Sequence, residues 1–234
     1  MNKIVWDQIV YGRTSDGWIA KGLDDSAFSQ TYLTVPTSIL GIPVVGIADG
    51  AFVRCDMIEK VILSPGVTSV GACAFAFCYS LREVWLPDSV THIGEEAFSY
   101  CMNLQTCVLP KHMDTIGFLA FARCDALSLI VLPETCRKQA ARAFYDAGNQ
   151  VDAVRVWVPE GMDTQLLSGL PGNSIFYCEG GPPMRYVYHT KTAIPIRIKR
   201  PVMQTEVPRL DMIRTHLGRA YADAYRHPRE EVTG

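Results

Sequence analysis

Cysteine and histidine are the residue types in this chain best suited to chemistry, and their spacing decides which chemistry is available. The 234 residues include eight cysteines, and four of them, Cys55, Cys78, Cys101 and Cys124, recur every 23 residues. Thiolates can be zinc ligands, but four ligands must surround one zinc tetrahedrally. Residues that repeat in successive turns of a chain lie in a straight row, about 5 Å apart. Such a row predicts four small buried side chains and no metal site.

The other cysteines and the five histidines do not form a recognisable site either. Cys107 falls at an inward strand position and Cys136 at an apolar turn position, so we expect exposure only for Cys73 and Cys178. The chain lacks a Gly-x-Ser-x-Gly elbow, a His-Glu-x-x-His pair and a phosphate-binding Gly-Lys-Ser/Thr loop. We therefore expect no catalytic residue, no metal and no cofactor.

A 23-residue repeat organises most of the chain. The pair Ala-Phe recurs at this interval, followed by a leucine that has proline beside it in the later copies. The phenylalanines are Phe52, Phe75, Phe98, Phe121 and Phe144, and the leucines are Leu63, Leu86, Leu109 and Leu132. Units of this length bury their apolar side only against neighbouring units. The period therefore predicts a solenoid.

Each unit contains one clear strand signal. Val84 and Leu86 alternate with Glu83 and Trp85, which is the period of a strand. Pro87 ends the strand because proline has no N–H to donate to a sheet. The return segment that follows is expected to be irregular or short helical.

This repeat resembles the BspA-like, or bacterial surface-antigen, subclass of leucine-rich repeat proteins. The resemblance rests on the Leu-Pro strand exit, on Ile93-Gly94 and Ile116-Gly117, and on the copies of Ala-Phe-x-x-Cys. It implies an α/β repeat solenoid with 23-residue coils and a parallel sheet on one face. It also implies a non-enzymatic binding protein, of the adhesin-like kind that bacteria often display on their surface.

The resemblance also divides the chain. It implies a solenoid over residues 1–180, with a divergent N-terminal coil at about residues 18–50, regular repeats at about 51–150, and a closing strand and cap at about 151–180. Residues 1–180 carry 12 Lys and Arg against 19 Asp and Glu, whereas residues 181–234 carry 10 against 5. This shift, beside the turn-forming run Gly180-Gly181-Pro182-Pro183, predicts a separate basic extension over 181–234.

The basic extension has three open roles. Alternation around Lys191 predicts a hairpin, and apolar residues from Ile213 to Ala224 at helical spacing predict a helix. The favoured role is to cap the last coil or contact a second protomer, because the end of a solenoid exposes core. A partner-binding arm is the second role, and nucleic-acid binding is the least favoured. The residues expected to make its contacts are Arg185, Arg197, Lys199, Arg200, Arg214 and Arg219.

One row of side chains, the apolar stripe, is the predicted binding surface. In each strand the residue before the last apolar position points away from the core, because alternate residues face opposite sides. The stripe consists of Ile62, Trp85, Val108, Val131 and Trp157. Apolar side chains at all five positions predict a continuous exposed band about 20 Å long. Such bands mark interfaces, and tryptophan is enriched where binding energy concentrates. The alternative is that the extension or a second copy covers it.

Two classes of function remain after these exclusions. The chain is 48% hydrophobic and 20% charged, with a net charge of −2, which argues against disorder. The first class is a recognition module that binds a protein or glycan partner through the sheet face. The second is a structural or assembly component whose basic extension mediates oligomerisation or docking into a larger complex. The sequence as given shows no signal peptide, which predicts the cytoplasm, whereas a removed signal would predict the cell surface or secretion.

Overall fold

The computed structural model describes residues 2–24, 30–136, 142–159, 167 and 169–177, together with the backbone of residues 184–187 and 192–195. Between residues 46 and 131 the chain winds into 23-residue coils that stack as a solenoid, which confirms the predicted period. The strands in chain order are β1 (Lys3–Trp6), β2 (Ile9–Arg13), β3 (Trp18–Leu23), β4 (Tyr32–Val35), β5 (Ser38–Ile39), β6 (Ile42–Ile47), β7 (Lys60–Leu63), β8 (Ser69–Val70), β9 (Glu83–Trp85), β10 (His92–Ile93), β11 (Thr106–Val108), β12 (Thr115–Ile116), β13 (Leu129–Val131), β14 (Arg155–Trp157), β15 (Ile175–Tyr177), β16 (Met184–Val187) and β17 (Thr192–Pro195).

The expected α/β class is wrong for the described part of the chain, where every regular element is a strand. The return segments form turns, because each holds two residues in the left-handed backbone region. In the second coil these are Cys73, with a φ of 53°, and Phe77, with a φ of 61°. Residues in that region do not continue a right-handed helix. The solenoid is therefore built from strands and turns.

Parallel pairing occurs on two sides of the coil, although the sequence predicted one. On the predicted side, β4, β7 and β9 pair in succession, and so do β11, β13, β14 and β15. On the second side, β6, β8, β10 and β12 pair in the same way. Ile93 points into the core there while His92 is exposed. These two-residue strands are too short to show as an alternating pattern in the sequence.

The phenylalanines of the Ala-Phe pairs form the centre of the core. Phe52, Phe75, Phe98, Phe121 and Phe144 are all buried, and neighbouring rings stack with centroids 5.1–5.3 Å apart. The ring spacing matches the distance between coils, so each ring packs on the same residue of the next coil. This stack explains why phenylalanine keeps its phase in all five copies.

The glycines of the Val-Gly and Ile-Gly pairs allow successive coils to approach. A Cβ atom added at Gly71 would lie 2.5 Å from the amide nitrogen of Asp49, and one at Gly94 would lie 2.5 Å from that of Ala72. A Cβ at Gly117 would likewise collide with the backbone of Glu95. Only glycine fits here without moving the neighbouring coil.

An antiparallel meander of β1, β2 and β3 precedes the first coil, and the sequence analysis did not predict its first two strands. β1 and β2 are joined by Asp7 and Gln8, whose φ values of 48° and 62° are those of a tight hairpin turn. β3 then pairs parallel with β6. The side chain of Trp18 is buried and donates a hydrogen bond of 3.2 Å to the carbonyl oxygen of Ile39. The meander thus continues the second sheet beyond the first coil.

At the other end, the segment expected to be the closing strand forms β14, which pairs with β13 and is followed by one more parallel strand, β15. β16 and β17 then add to β15 as an antiparallel hairpin, as the alternation predicted. One compact unit runs from Met1 to Ile196, and a second, Arg197–Gly234, lies outside the described residues. That second unit contains the predicted helix and the extension residues Arg197, Lys199, Arg200, Arg214 and Arg219. Arg185 lies in β16, and the boundary near residue 180 stays a prediction.

Candidate functional site

Burial was predicted for all four repeating cysteines, and the structure confirms it for three of them. Cys78, Cys101 and Cys124 are buried, and each thiol donates to a backbone carbonyl oxygen of the preceding coil at 3.1–3.3 Å. Burial raises the pKa of the Cys78 thiol to about 12 and that of Cys101 well above its ordinary value. Cys55 is only half-buried. Thiols with such raised pKa values carry almost no thiolate at neutral pH and are poor nucleophiles.

The other cysteines also lack the setting of a reactive site. Cys107 and Cys136 are buried, as their positions predicted. Cys73 is half-buried where exposure was expected, and Cys178 lies outside the described residues. Burial and the carboxylates of Glu96 and Glu95 raise the Cys73 pKa. Within the described ranges, no three His, Cys, Asp or Glu side chains are grouped to hold a metal ion.

The structure brings the apolar stripe together in two sets. Ile62 and Trp85 pair in register on neighbouring strands, and Thr34 continues this row on the other side of Ile62. Val108, Val131 and Trp157 pair in register on three further strands, and Tyr177 continues that row. Residues in register share a face of the sheet. The stripe is therefore a row of side chains on the predicted sheet side.

The predicted continuous exposure of the stripe is wrong at two positions. Ile62 is 6% exposed and Val131 is fully buried, whereas Trp85, Val108 and Trp157 are half-buried. Neither Ile62 nor Val131 belongs to the central core cluster. Each lies next to a tryptophan in register, about 4.8 Å away. The solvent-accessible part of the stripe is concentrated at the tryptophans.

Each tryptophan has a neighbour that the sequence analysis missed. The Nζ atom of Lys60 lies 3.6 Å from the centre of the Trp85 ring and 3.2 Å from the carboxylate of Glu83. The ring of Tyr177 stacks on Trp157 with centroids 5.4 Å apart. Lys60 stands two residues before Ile62 in β7, so strand alternation could have placed it on the same face. Tyr177 follows Trp157 by 20 residues and not by 23. The repeat period therefore did not identify Tyr177 as the next residue of the row.

The arrangement is suited to non-covalent contact. One aromatic centre stands on each of the two sheets of the predicted side, with aliphatic side chains in register beside it, and one lysine and one glutamate lie at the Trp85 centre. Tryptophan and tyrosine supply large contact area at interfaces, while a rim charge sets orientation. Nothing in this row provides a nucleophile beside a general base.

Comparisons with known proteins agree with this architecture. Residues 45–155 match the model of the BspA type leucine rich repeat region, in six copies. No curated protein matches the chain. In the part of the chain that the structure describes, no helix has the length and apolar character needed to cross a membrane.

Several solved structures have the same fold. The T. pallidum leucine-rich repeat protein is 27% identical, with a TM-score of 0.60 over 76% of this chain and 83% of that one. The pneumococcal vaccine antigen PcpA is 15% identical, with a TM-score of 0.63 over 76% of this chain and 42% of that one. A leucine rich cell surface protein from Faecalibacterium prausnitzii is 18% identical, with a TM-score of 0.54 over 84% and 61% of the two chains.

Bacterial leucine-rich repeat proteins of this type are generally non-enzymatic, and their repeats serve protein interaction or surface recognition. The 23-residue coils, the stacked phenylalanines and the six matching copies all lie within the same segment. The repeat region of this chain, residues 45–155, belongs to the BspA-type leucine-rich repeat family.

Proposed function

We propose that this chain is a recognition module that binds a protein partner through the apolar stripe. The observation that carries the proposal is the pair of tryptophans, Trp85 and Trp157, which are half-buried on a sheet face outside the core cluster. An indole left partly open on a rigid sheet loses little conformational entropy when a partner covers it.

The sequence predicts either a protein or a glycan as the partner, and a protein fits this stripe better. Sugar rings bind by stacking on an open aromatic face. One face of Trp85 is taken by the ammonium group of Lys60, and one face of Trp157 by the ring of Tyr177. The stripe therefore offers at most one open face at each indole, set among aliphatic groups, which suits the irregular apolar surface of a polypeptide.

The test replaces both tryptophans. In the chain with Trp85→Ser and Trp157→Ser, we expect association with the partner, or with a second copy, to be lost while thermal unfolding stays cooperative. Phe118→Ser is the matched control, because Phe118 is an exposed aromatic residue away from the stripe. Association measured by sedimentation and by binding to an immobilised partner should survive in this control. If the double variant folds and retains every association, the stripe is not the binding face.

A second candidate function is assembly through the basic extension. The observation that favours it is the hairpin β16–β17, which joins the extension to the sheet at β15. Sedimentation at several concentrations separates the two functions. An oligomer that is lost on deleting residues 181–234 supports assembly, whereas a monomer at every concentration contradicts it.

A further inference from the structure

A second surface runs along the turns that carry the Ala-Phe pairs, away from the apolar stripe. The residue directly before each repeating cysteine points outward there, and so does its equivalent in the fifth coil. These residues are Arg54, Phe77, Tyr100, Arg123 and Asp146. Their types differ from coil to coil, and for this reason the repeat pattern of the sequence does not reveal them as a set.

The five side chains contact one another in sequence. The guanidinium carbon of Arg54 lies 5.6 Å from the centre of the Phe77 ring. Phe77 stacks on Tyr100 with centroids 4.9 Å apart and an angle of 14° between planes. Arg123 lies 5.8 Å from the Tyr100 ring, and one of its terminal nitrogens is 2.7 Å from the carboxylate of Asp146. A cation, two rings, a second cation and a carboxylate thus form one continuous ladder.

The backbone holds this ladder rigidly. All five residues have φ values of 56–61°. Their amides bond to the next coil: the amide of Arg54 donates to the carbonyl oxygen of Ala76 at 2.9 Å, and that of Phe77 donates to Ser99 at 2.8 Å. A side chain fixed by its own backbone and by stacking loses little freedom on binding. The ladder is therefore already ordered for a ligand.

Exposed apolar side chains surround the Arg54 end. Met57 is 48% exposed, Tyr79 40% and Tyr100 37%. The ring of Tyr79 meets Phe77 edge-on at 6.3 Å. We call this surface the aromatic ridge, which consists of Arg54, Met57, Phe77, Tyr79 and Tyr100. Tyrosine, methionine, phenylalanine and arginine are the residues enriched at protein interfaces.

The two arginines of the ladder differ in their charge balance. Arg123 is paired with Asp146 and also lies 3.9 Å from the buried carboxylate of Asp125. Among the described residues, no carboxylate forms an ion pair with Arg54, and its guanidinium carbon lies over the Phe77 ring at 5.6 Å from the centre. The nearby Asp56 instead accepts the backbone amide of Tyr79 at 3.4 Å. The donors of Arg54 are therefore available to a carboxylate.

We propose that the aromatic ridge docks a polypeptide segment that carries a carboxylate beside an apolar or aromatic side chain. The carboxylate pairs with Arg54, and the apolar side chain packs on Met57 and Tyr79. A glycan or a nucleic-acid base fits less well, because Phe77 and Tyr100 stack on each other while Arg54 lies over the Phe77 ring and Arg123 over the Tyr100 ring. This surface is separate from the apolar stripe and does not depend on the function proposed for it.

The test uses two labelled peptides of equal length, one with repeated Glu-Phe and one with repeated Gln-Phe, at low ionic strength. Fluorescence anisotropy should give a Kd about tenfold lower for the Glu-Phe peptide, since a charge-assisted pair is formed only there. Arg54→Gln should remove this difference. Arg82→Gln should keep it, because Arg82 is an exposed arginine outside the ridge, 3.9 Å from Glu59.

A second pair of variants tests the apolar contact. Tyr79→Ser should weaken binding of both peptides, whereas Phe118→Ser should leave both unchanged. The proposal is overturned if neither peptide binds at about 1 mM, if the two bind equally to the unaltered chain, or if Arg54→Gln retains the difference. Binding of an oligosaccharide that competes at the ridge would also overturn it. Binding that persists in the Trp85→Ser, Trp157→Ser chain shows that the two surfaces act separately.

Discussion

The thiol of Cys101 donates a hydrogen bond to the carbonyl oxygen of Phe75, at an Sγ–O distance of 3.2 Å, and so ties one coil to the coil before it. Equivalent bonds join Cys78 to Phe52 and Cys124 to Phe98. Cysteine thus fills a small buried space and also satisfies a carbonyl group. Ala147, at the equivalent position of the fifth coil, fills part of such a space but has no donor for a carbonyl group.

Replacing Cys101 should separate these two effects. Cys101→Ala removes the donor and leaves a small cavity. We therefore expect the free energy of unfolding to fall by about 1–2 kcal/mol. Cys101→Ser keeps a donor and should lose less. Cys55→Ala is the control, because Cys55 is half-buried and its sulfur lies 3.9 Å from its acceptor. Chemical denaturation measures all three, and equal losses for Cys101→Ala and Cys55→Ala would contradict the role of the bond.

The buried thiols should make the fold sensitive to alkali. Burial raises the pKa values of Cys101, Cys107 and Cys124 above those of an unfolded chain. Unfolded thiols ionise near pH 8.5, so above this pH the unfolded state releases protons that the folded state keeps. The stabilisation is complete below pH 8.5 and is lost as the pH rises, by up to about 1.4 kcal/mol per pH unit for each thiol.

Urea unfolding at pH 7, 8, 9 and 10 measures this dependence. Cys107→Val removes one titrating group at a buried strand position and should reduce the slope above pH 8.5. A free energy of unfolding that stays constant from pH 7 to pH 10 would show that these thiols ionise equally in both states.

The close approach of coils at Gly94 should make it intolerant of a side chain. The Cβ atom of Gly94→Ala would meet the backbone of Ala72 at 2.5 Å, so the coils must separate locally at a cost of about 1–3 kcal/mol. That corresponds to a fall in Tm of about 2–4 °C for each kcal/mol. Gly172→Ala is the control, because no atom lies within 4 Å of its added Cβ. Thermal unfolding compares the two, and equal Tm values would refute the contact.

Removing the hairpin β16–β17 should destabilise the last coil. Deleting residues 181–234 leaves the backbone edge of β15 unpaired, and we expect Tm to fall by several degrees, as a loss of about 1–2 kcal/mol would cause. Deleting only residues 197–234 keeps the hairpin and separates its contribution from that of the rest of the extension. An unchanged Tm in the longer deletion would show that the hairpin does not stabilise the solenoid.

The sequence predicts the solenoid well wherever one residue type repeats in phase. Phe98 and Cys101 keep their identity from coil to coil because their spaces inside the coil are the same, and Val84 marks its strand by alternation. The second sheet was missed because His92 and Ile93 form a strand of only two residues. Of the two expectations for the return segment, irregular or short helical, the structure bears out the irregular one. The sequence could not decide between them because the left-handed residues Cys73 and Phe77 are not glycines, so their conformation leaves no mark in the sequence.

Surface features were predicted less well, for a different reason. Alternation placed the stripe residues Ile62 and Val131 in the row where the register has them, but it does not predict their burial, which depends on what packs over the row. The aromatic ridge was missed because Arg54, Phe77 and Tyr100 share a position and a contact but not a residue type. Contacts between unlike side chains along the solenoid axis become visible only when the coils are stacked.

The 23-residue register makes the whole coil the unit in which this protein can change its length. Excising residues 71–93 would join Val70 to Gly94 and leave both sheets, the ring stack and the thiol bonds in phase. A cut one residue shorter would place Ala97 instead of a phenylalanine at that position of the stack. Among the described parallel strands, the step departs from 23 residues only toward the two ends: it is 27 from Ala20 to Ile47, 28 from Thr34 to Ile62, 26 from Val131 to Trp157 and 20 from Trp157 to Tyr177. The extra residues of the step to Trp157 fall in the loop between Phe144 and Val156. Other length changes are therefore confined to such loops, and proteins built on this plan grow or shrink by whole coils.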